Sequence, residues 1–380
     1  MDGRGRPGTY RGPVTDSRSD TRTPTPTALV VGVTGIAGSA LADQLVEQGW
    51  AVLGLSRRAP ADRPGVTALQ ADLTDAEALR DVLADVRPTH VFLTAWARQD
   101  TEEENIRVNG GMVRDLLAAL SPGGSVQHVA LMTGLKHYLG PFEAYGKGET
   151  PDTPFHEDEE RLPYPNFYYE QEDRLLEAAA RDGFTWSVHR AHTVIGAALG
   201  NAMNMGQTLA AYATLCRETD SPFVFPGSQT QWDGLTDMTD AGLLAEQMVW
   251  AATEPAAADT AFNTANGDVF RWRWLWPLLA ARLGVQPEGY AGSPRPLEEQ
   301  MAGAAPRWRE VAEREGLREA DLDRVASWWH TDADLGRDME CLTDQARSRA
   351  AGFTGYRSTL DCFLALFDRL EADRVVPAPR

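Results

Sequence analysis

The first third of the chain alternates two patterns. Short, mostly apolar runs at Ala28–Val31, Ala51–Leu55, Thr67–Gln70, His90–Leu93 and Val126–Met132 lack the polar alternation of a half-exposed strand, as strands buried on both faces require. Between them lie stretches with helical spacing: Leu41, Leu45 and Val46, then Ala76–Val86 and Ile106–Leu120. Strands alternating with helices predict an α/β chain with a doubly wound parallel sheet of the Rossmann type.

Further on, an amphipathic helix is predicted from Asn166 to about Arg181, and a sixth strand at Thr185–His189. An apolar helical stretch at Met203–Leu215 and the segment Pro222–Pro226 follow; Met203 and the aromatics there either line a pocket or pack in a core. Helices at Thr239–Ala252 and Trp272–Leu283 flank a short strand at Ala261–Thr264. Beyond Pro294, short helices carry Trp308, Trp328, Trp329 and Phe363. The expected organisation is a disordered tail over 1–26, a sheet domain over 27–284 with 200–235 contributing to a substrate pocket, and a smaller, mostly helical C-terminal cap over 285–380. The tail's Gly/Pro/Ser/Thr/Arg mixture has almost no large apolar residue, and its aspartates argue against a transit peptide.

Charge narrows the partners. A formal net charge of −19 argues against nucleic acid and anionic membranes. No apolar run reaches the length of a membrane span, and no signal-type apolar segment follows the start. Three dispersed cysteines, Cys216, Cys341 and Cys362, fit reduced thiols in a cytoplasm and lack metal-ligand spacing.

The turn after the first strand carries candidate chemistry. Gly32, Gly35 and Gly38, with Thr34 and Ile36 between them, let the backbone approach a pyrophosphate at a helix N-terminus, where a Cβ would block it. A strand before and a strand after complete the βαβ unit that the motif requires. At the end of the second strand stand Ser56, Arg57 and Arg58, where an NAD enzyme usually carries an acid for the ribose 2′-OH. Two guanidinium forks suit a 2′-phosphate, so the expected cofactor is NADP(H). Asp72, followed by Leu73, either accepts from the adenine amino group or belongs to a helix cap, for which Asp75 is better placed. Thr94, Ala95 and Trp96 follow the fourth strand over the same edge, and Thr133 follows the fifth.

Lys136 follows that fifth strand in a chain with only two lysines among its 36 basic residues. A lysine kept where cations are otherwise arginines suggests a need for a compact ammonium. Most short-chain dehydrogenases pair Tyr and Lys at i, i+4, where the ammonium lowers the phenol pKa. Here Glu172 lies four residues after Tyr168 and Asp173 four after Tyr169. Lys136 and Tyr168 both fall on the carboxyl side of the sheet, where they could converge on one substrate oxygen. The loop His156–Arg161 reads as a solvated acidic face.

The stretches GLKHYLGPFEAYGK (134–147), NFYYEQED (166–173), WSVHR (186–190), QWDGLTD (231–237) and FNTANGDVFRW (262–272) resemble the progesterone 5β-reductase and iridoid synthase-like family, an atypical branch of extended short-chain dehydrogenases. The resemblance implies NADPH-dependent 1,4-reduction of C=C bonds in small enones and enals, with Tyr168 and Lys136 as the catalytic pair. It implies Phe142 as a pocket aromatic, with Tyr138 beside it, and leaves a homodimer open. After the sixth strand the family usually reads His-Arg-Pro, then Gly and Asn; here Ala191, His192, Thr193 and Val194 follow Arg190. That segment, with Thr193 and Val194, should line the nicotinamide. His192 either adds a polar group to the pocket or is a satisfied polar residue beside the cofactor. Two other readings remain: an NADP-dependent carbonyl reductase or epimerase of the extended type, and a non-catalytic NADP(H)-binding sensor.

Overall fold

The computed structural model describes residues 25–58, 63–141, 151–200 and 203–379. The expected tail, but for its last two residues, and Phe142 lie outside the described residues. Seven parallel strands form the main sheet: β1 (Thr27–Val31), β2 (Ala51–Ser56), β3 (Val66–Gln70), β4 (His90–Leu93), β5 (His128–Gly134), β6 (Thr185–Ala191) and β7 (Thr260–Thr264). Their order is 7-6-5-4-1-2-3, so the winding reverses between β1 and β4 and opens a crevice at their carboxyl ends.

Strand period divides the core. Ala28, Val30, Phe92 and Ala130 point to one face, under α1 (Ile36–Glu47) and the helix Ala241–Thr253. Leu29, Val31, Val91, Leu93, Val129 and Leu131 point to the other. There α2 (Ala76–Leu83), α3 (Glu102–Leu120) and α5 (Phe167–Asp182) supply Leu79, Val113, Leu117 and Leu175. Both faces of the sheet are thus covered, which explains the uninterrupted apolar runs.

A second core occupies the C-terminal half. It joins Leu209 and Tyr212 of α6 (Met205–Thr219) and Trp272 and Trp276 of the helix Trp272–Leu283 to Trp308, Phe363 and Phe367. The boundary expected after residue 284 therefore coincides with no break in packing: the cap is built on residues from both sides of it. Helix α6 starts at Met205 rather than Met203 because Asn204 caps it, accepting from the Gln207 amide. The three cysteines are free and buried. Among the described residues, no helix is long and apolar enough to cross a membrane.

A buried polar chain runs from β5 across β6 to the helix Ala241–Thr253. His128 Nε2 faces Ser187 Oγ at 2.9 Å, Ser187 Oγ faces His189 Nε2 at 3.0 Å, and His189 Nδ1 faces Gln247 Oε1 at 2.9 Å. Burial holds the pKa of His128 down at about 3 and that of His189 at about 4. An unfolded histidine takes up its proton near pH 6.5. Below that pH the unfolded chain binds more protons than the native one, so stability falls as pH drops, until the native rings titrate near 4 and 3. Urea unfolding at pH 7.5 and pH 5 should show these two rings costing about 2 kcal/mol each at the lower pH. Replacing His189 by an uncharged residue should remove its share of that slope.

Candidate active site

At the carboxyl end of β1 the chain turns at Gly32 with φ +89°, a conformation glycine adopts freely. A Cβ at Gly38 would stand 2.2 Å from the Gly32 carbonyl oxygen, so turn and helix pack backbone against backbone. Gly35 caps α1 without a side-chain bond, and no acid sits in the helix's first turn. Its amides and positive end are left for an anion, and a dinucleotide pyrophosphate fits this cradle. Thr94 Oγ1 donates to the Val31 carbonyl at 2.8 Å and holds the β4 exit against the turn, with Ala95 beside Gly32. Thr34 is exposed, whereas the Ile36 side chain packs on Ala198 and Ala241, leaving only its backbone for a ligand.

At the next exit, Ser56 Oγ donates to the Arg58 carbonyl at 2.6 Å, and the Arg57 and Arg58 side chains are exposed. Asp72 accepts from the Thr74 amide and hydroxyl at 2.9 and 2.7 Å. Those bonds, with Arg57 nearby, hold its carboxyl below the ordinary range. The cap of α2 is Asp75, which accepts from the Glu77 and Ala78 amides. Leu73 packs on the edge of the sheet core.

Strand β5 runs two residues further than expected, because Thr133 and Gly134 pair in register with Arg190 and Ala191 of β6. Lys136 then opens the short helix α4 (Lys136–Leu139). Asn166 ties this helix to α5: its Oδ1 accepts from the Tyr168 and Tyr169 amides at 3.0 and 3.2 Å, and its Nδ2 donates to the Lys136 carbonyl at 3.3 Å. Glu102, at the start of α3, accepts from the Phe167 amide at 2.8 Å. The Trp96 ring stacks on Phe167 with centroids 5.2 Å apart. The buried Lys136 Nζ lies 5.6 Å from the Phe167 ring centre, and the Phe167 and Tyr168 rings are 4.3 Å apart. A Cβ on Gly134 would be 3.3 Å from the Tyr168 hydroxyl and 3.1 Å from the Ala191 carbonyl oxygen. Lysine and tyrosine, 32 residues apart in the chain, are thus gathered around Phe167 and Gly134 at the β5 exit. Burial and the Glu102 carboxylate push the Tyr168 phenol above its usual pKa. Tyr169 is committed elsewhere, donating to the His137 carbonyl at 2.6 Å and accepting from the Leu162 amide at 2.9 Å. Thr133 is buried at the same exit.

Tyr138 sits differently from expectation, His192 takes the second of the two roles left open for it, and Thr193, Val194 and Met203 are only partly exposed. Tyr138 is 3% exposed, stacked on Phe155 at 4.9 Å; its hydroxyl donates to Asn263 at 2.7 Å and accepts from Arg190 at 3.1 Å. It is a strut between strand ends rather than a pocket wall. His192 is 3% exposed and turned into the protein, with Nδ1 2.7 Å from Asp237 and Nε2 3.1 Å from Arg337. It therefore offers no free nitrogen to a pocket. Thr193 spends its hydroxyl on Asp334 at 2.9 Å, while Val194 is half-buried against the sheet core. Met203 is half-buried just ahead of the α6 cap. Nor is the loop at 156–161 merely solvated: buried Glu157 accepts from the Asn263 amide at 3.1 Å. Sequence reasoning missed Glu102 and Asn166. The signal for the second was present, an Asn immediately before an amphipathic run.

The site defines a dinucleotide-binding protein of the short-chain dehydrogenase class, and the chain belongs to the NAD dependent epimerase/dehydratase family, whose sequence model matches residues 28–265. A nicotinamide nucleotide is accordingly its cofactor type. Within that class it groups with the progesterone 5β-reductase and iridoid synthase-like proteins. It is 40% identical to an (S)-8-oxocitronellyl enol synthase of Camptotheca acuminata over 92% of this chain and 93% of that one. It is 39% identical to a 3-oxo-Delta(4,5)-steroid 5-beta-reductase of Arabidopsis thaliana, with the same coverage. Among solved structures, the UDP-glucose 4-epimerase of Thermotoga maritima shares the fold with a TM-score of 0.64 at 16% identity, covering 91% of this chain and 99% of that one.

Asn166→Ala removes the α5 cap and the bridge to Lys136. Urea unfolding should report a loss of about 0.5–2 kcal/mol. Asn166→Asp keeps the acceptor for both amides and should recover most of it.

Proposed function

We propose that the protein reduces activated C=C bonds of small enones and enals with NADPH. The observation that carries this reading is the gathering of Tyr168 and Lys136 around Phe167 at the β5 exit, in a chain of this family that lacks the i, i+4 lysine. The names of its relatives, a steroid 5-beta-reductase and an enol synthase, supply the substrate chemistry. When bound, NADPH supplies the hydride, which goes to the β-carbon of the enone. Negative charge then grows on the substrate carbonyl oxygen as the enolate forms. Tyr168 donates its O–H to that oxygen, and the Lys136 ammonium adds positive potential beside it. With its pKa raised, the phenol keeps its proton through neutral pH and acts as a donor, not a base. The α-carbon takes its proton afterwards from solvent. Arg57 and Arg58 hold the 2′-phosphate.

Incubation with NADPH and small enones, enals or a 3-keto-4-ene steroid should yield the saturated carbonyl compound. An allylic alcohol would instead indicate the 1,2-reduction of an ordinary carbonyl reductase, and bound NADPH without turnover would indicate a sensor. Tyr168→Phe should lower kcat by about 10²–10³. The wild-type kcat should show no limb from phenol ionisation between about pH 6 and 9. Arg57→Ala and Arg58→Ala should each weaken NADPH binding by about 10- to 100-fold in fluorescence titrations while leaving NADH binding unchanged.

A further inference from the structure

One cap helix is fastened at two strand exits in the same half of the sheet, those of β4 and β6. On the β4 side, Arg98 lays its guanidinium 3.8 Å from the ring centre of Trp329, in the helix Trp328–Leu335. The loop carrying Arg98 is itself pinned to α3, by Asn109 on Ala97 and Asn105 on Gln99. On the β6 side, Thr193 donates to Asp334 at 2.9 Å, and Arg337 pairs with Asp334 and reaches His192 Nε2 at 3.1 Å. Arginine can only donate, so Nε2 accepts and the ring carries its proton on Nδ1. Nδ1 then donates to Asp237 at 2.7 Å. The other oxygen of Asp237 accepts from the Thr343 amide and hydroxyl at 2.8 and 2.7 Å. His192 is thus held in one tautomer, one residue from the Ala191 carbonyl that sits opposite the Tyr168 hydroxyl across Gly134.

We propose that His192 is a positioning residue: it couples the cap turn 334–337 to the β6 exit and so fixes the wall against which Tyr168 meets the substrate carbonyl. This rests on the enone-reduction reading. The coupling of the ring to the turn 334–337 runs through the bond to Arg337, alongside that of Thr193 to Asp334, whereas Asp237 ties the ring to Thr343. A glutamine can place its amide oxygen where Nε2 stands and accept from Arg337. An asparagine reaches only the Nδ1 position, where it can donate to Asp237.

The test compares His192→Ala, His192→Gln and His192→Asn in the full chain by two readouts. The first is backbone hydrogen exchange at 328–337 without cofactor; the second is kcat and KM for one enone at saturating NADPH. His192→Ala should speed exchange at 328–337 about tenfold. It should lower kcat by about tenfold or more, with a smaller change in KM. His192→Gln should restore both readouts and His192→Asn neither. Wild-type exchange in His192→Ala, an unchanged kcat despite faster exchange, or equal rescue by asparagine would each overturn the proposal. If exchange follows the expected pattern while the wild-type chain reduces no enone, the coupling of cap to strand stands and the enone reading falls.

Discussion

At the β5 exit, the backbone of Gly134 occupies a gap that a side chain could enter only by pushing its neighbours back by a few tenths of an ångström. The Ala191 carbonyl closes it on one side and the Tyr168 hydroxyl on the other, each near 3.2 Å from where a side chain would begin, at 3.1 and 3.3 Å. The gap exists because β5 and β6 run parallel and in step to their last residues, Gly134 opposite Ala191. The helix α5, which leads from these exits back to the start of β6, begins beside them and brings Tyr168 to the gap. Glu102 and Asn166 hold it there by satisfying amides that a helix start leaves open. Those same carboxamide and carboxylate groups touch α3, α4 and α5 at once, so the position of the phenol depends on three elements rather than on its own helix.

Much of the fold was legible because buried parallel strands announce themselves as unbroken apolar runs. His90–Leu93 and Trp272–Leu283 were bounded to the residue. Errors fell where the apolar signal stops before the structure does. Thr133 and Gly134 look like a loop, yet they pair with a β6 that runs on through Arg190 and Ala191. The helix α3 was expected only from Ile106, yet it starts at Glu102, and Glu102, Glu103 and Glu104 stabilise its positive end. The break at residue 284 was misread because the Trp272–Leu283 helix is sequential with the sheet but packs with the cap.

The candidate site divides along a different line. The glycine turn was legible because its requirements lie within seven residues, and Lys136 because lysine is rare in this chain. Tyr138 was not, and the choice between the two roles of His192 stayed open, since the groups that claim their polar atoms are remote in sequence. Asn263 lies 125 residues from Tyr138, and Arg337 lies 145 residues from His192. A polar residue near a strand exit reads as pocket lining unless its distant partner is known, and in a packed interior such partners are the rule.

The polarity of the α5 face sets the direction of the chemistry. In the usual arrangement a lysine one turn after the tyrosine lowers the phenol pKa and readies it to accept a proton, as oxidation of an alcohol requires. Here that position holds Glu172, buried and paired with Arg161 at 3.0 Å, and the carboxylate nearest the phenol is Glu102. Burial and the Glu102 carboxylate oppose ionisation of the phenol. A phenol that stays protonated can stabilise an oxyanion but cannot abstract a proton, so its surroundings disfavour the ordinary dehydrogenase mechanism and suit hydride delivery to an acceptor whose charge ends on oxygen. On the proposed reading, Lys136, approaching from α4 rather than from one turn along α5, acts on the substrate oxygen instead of on the tyrosine.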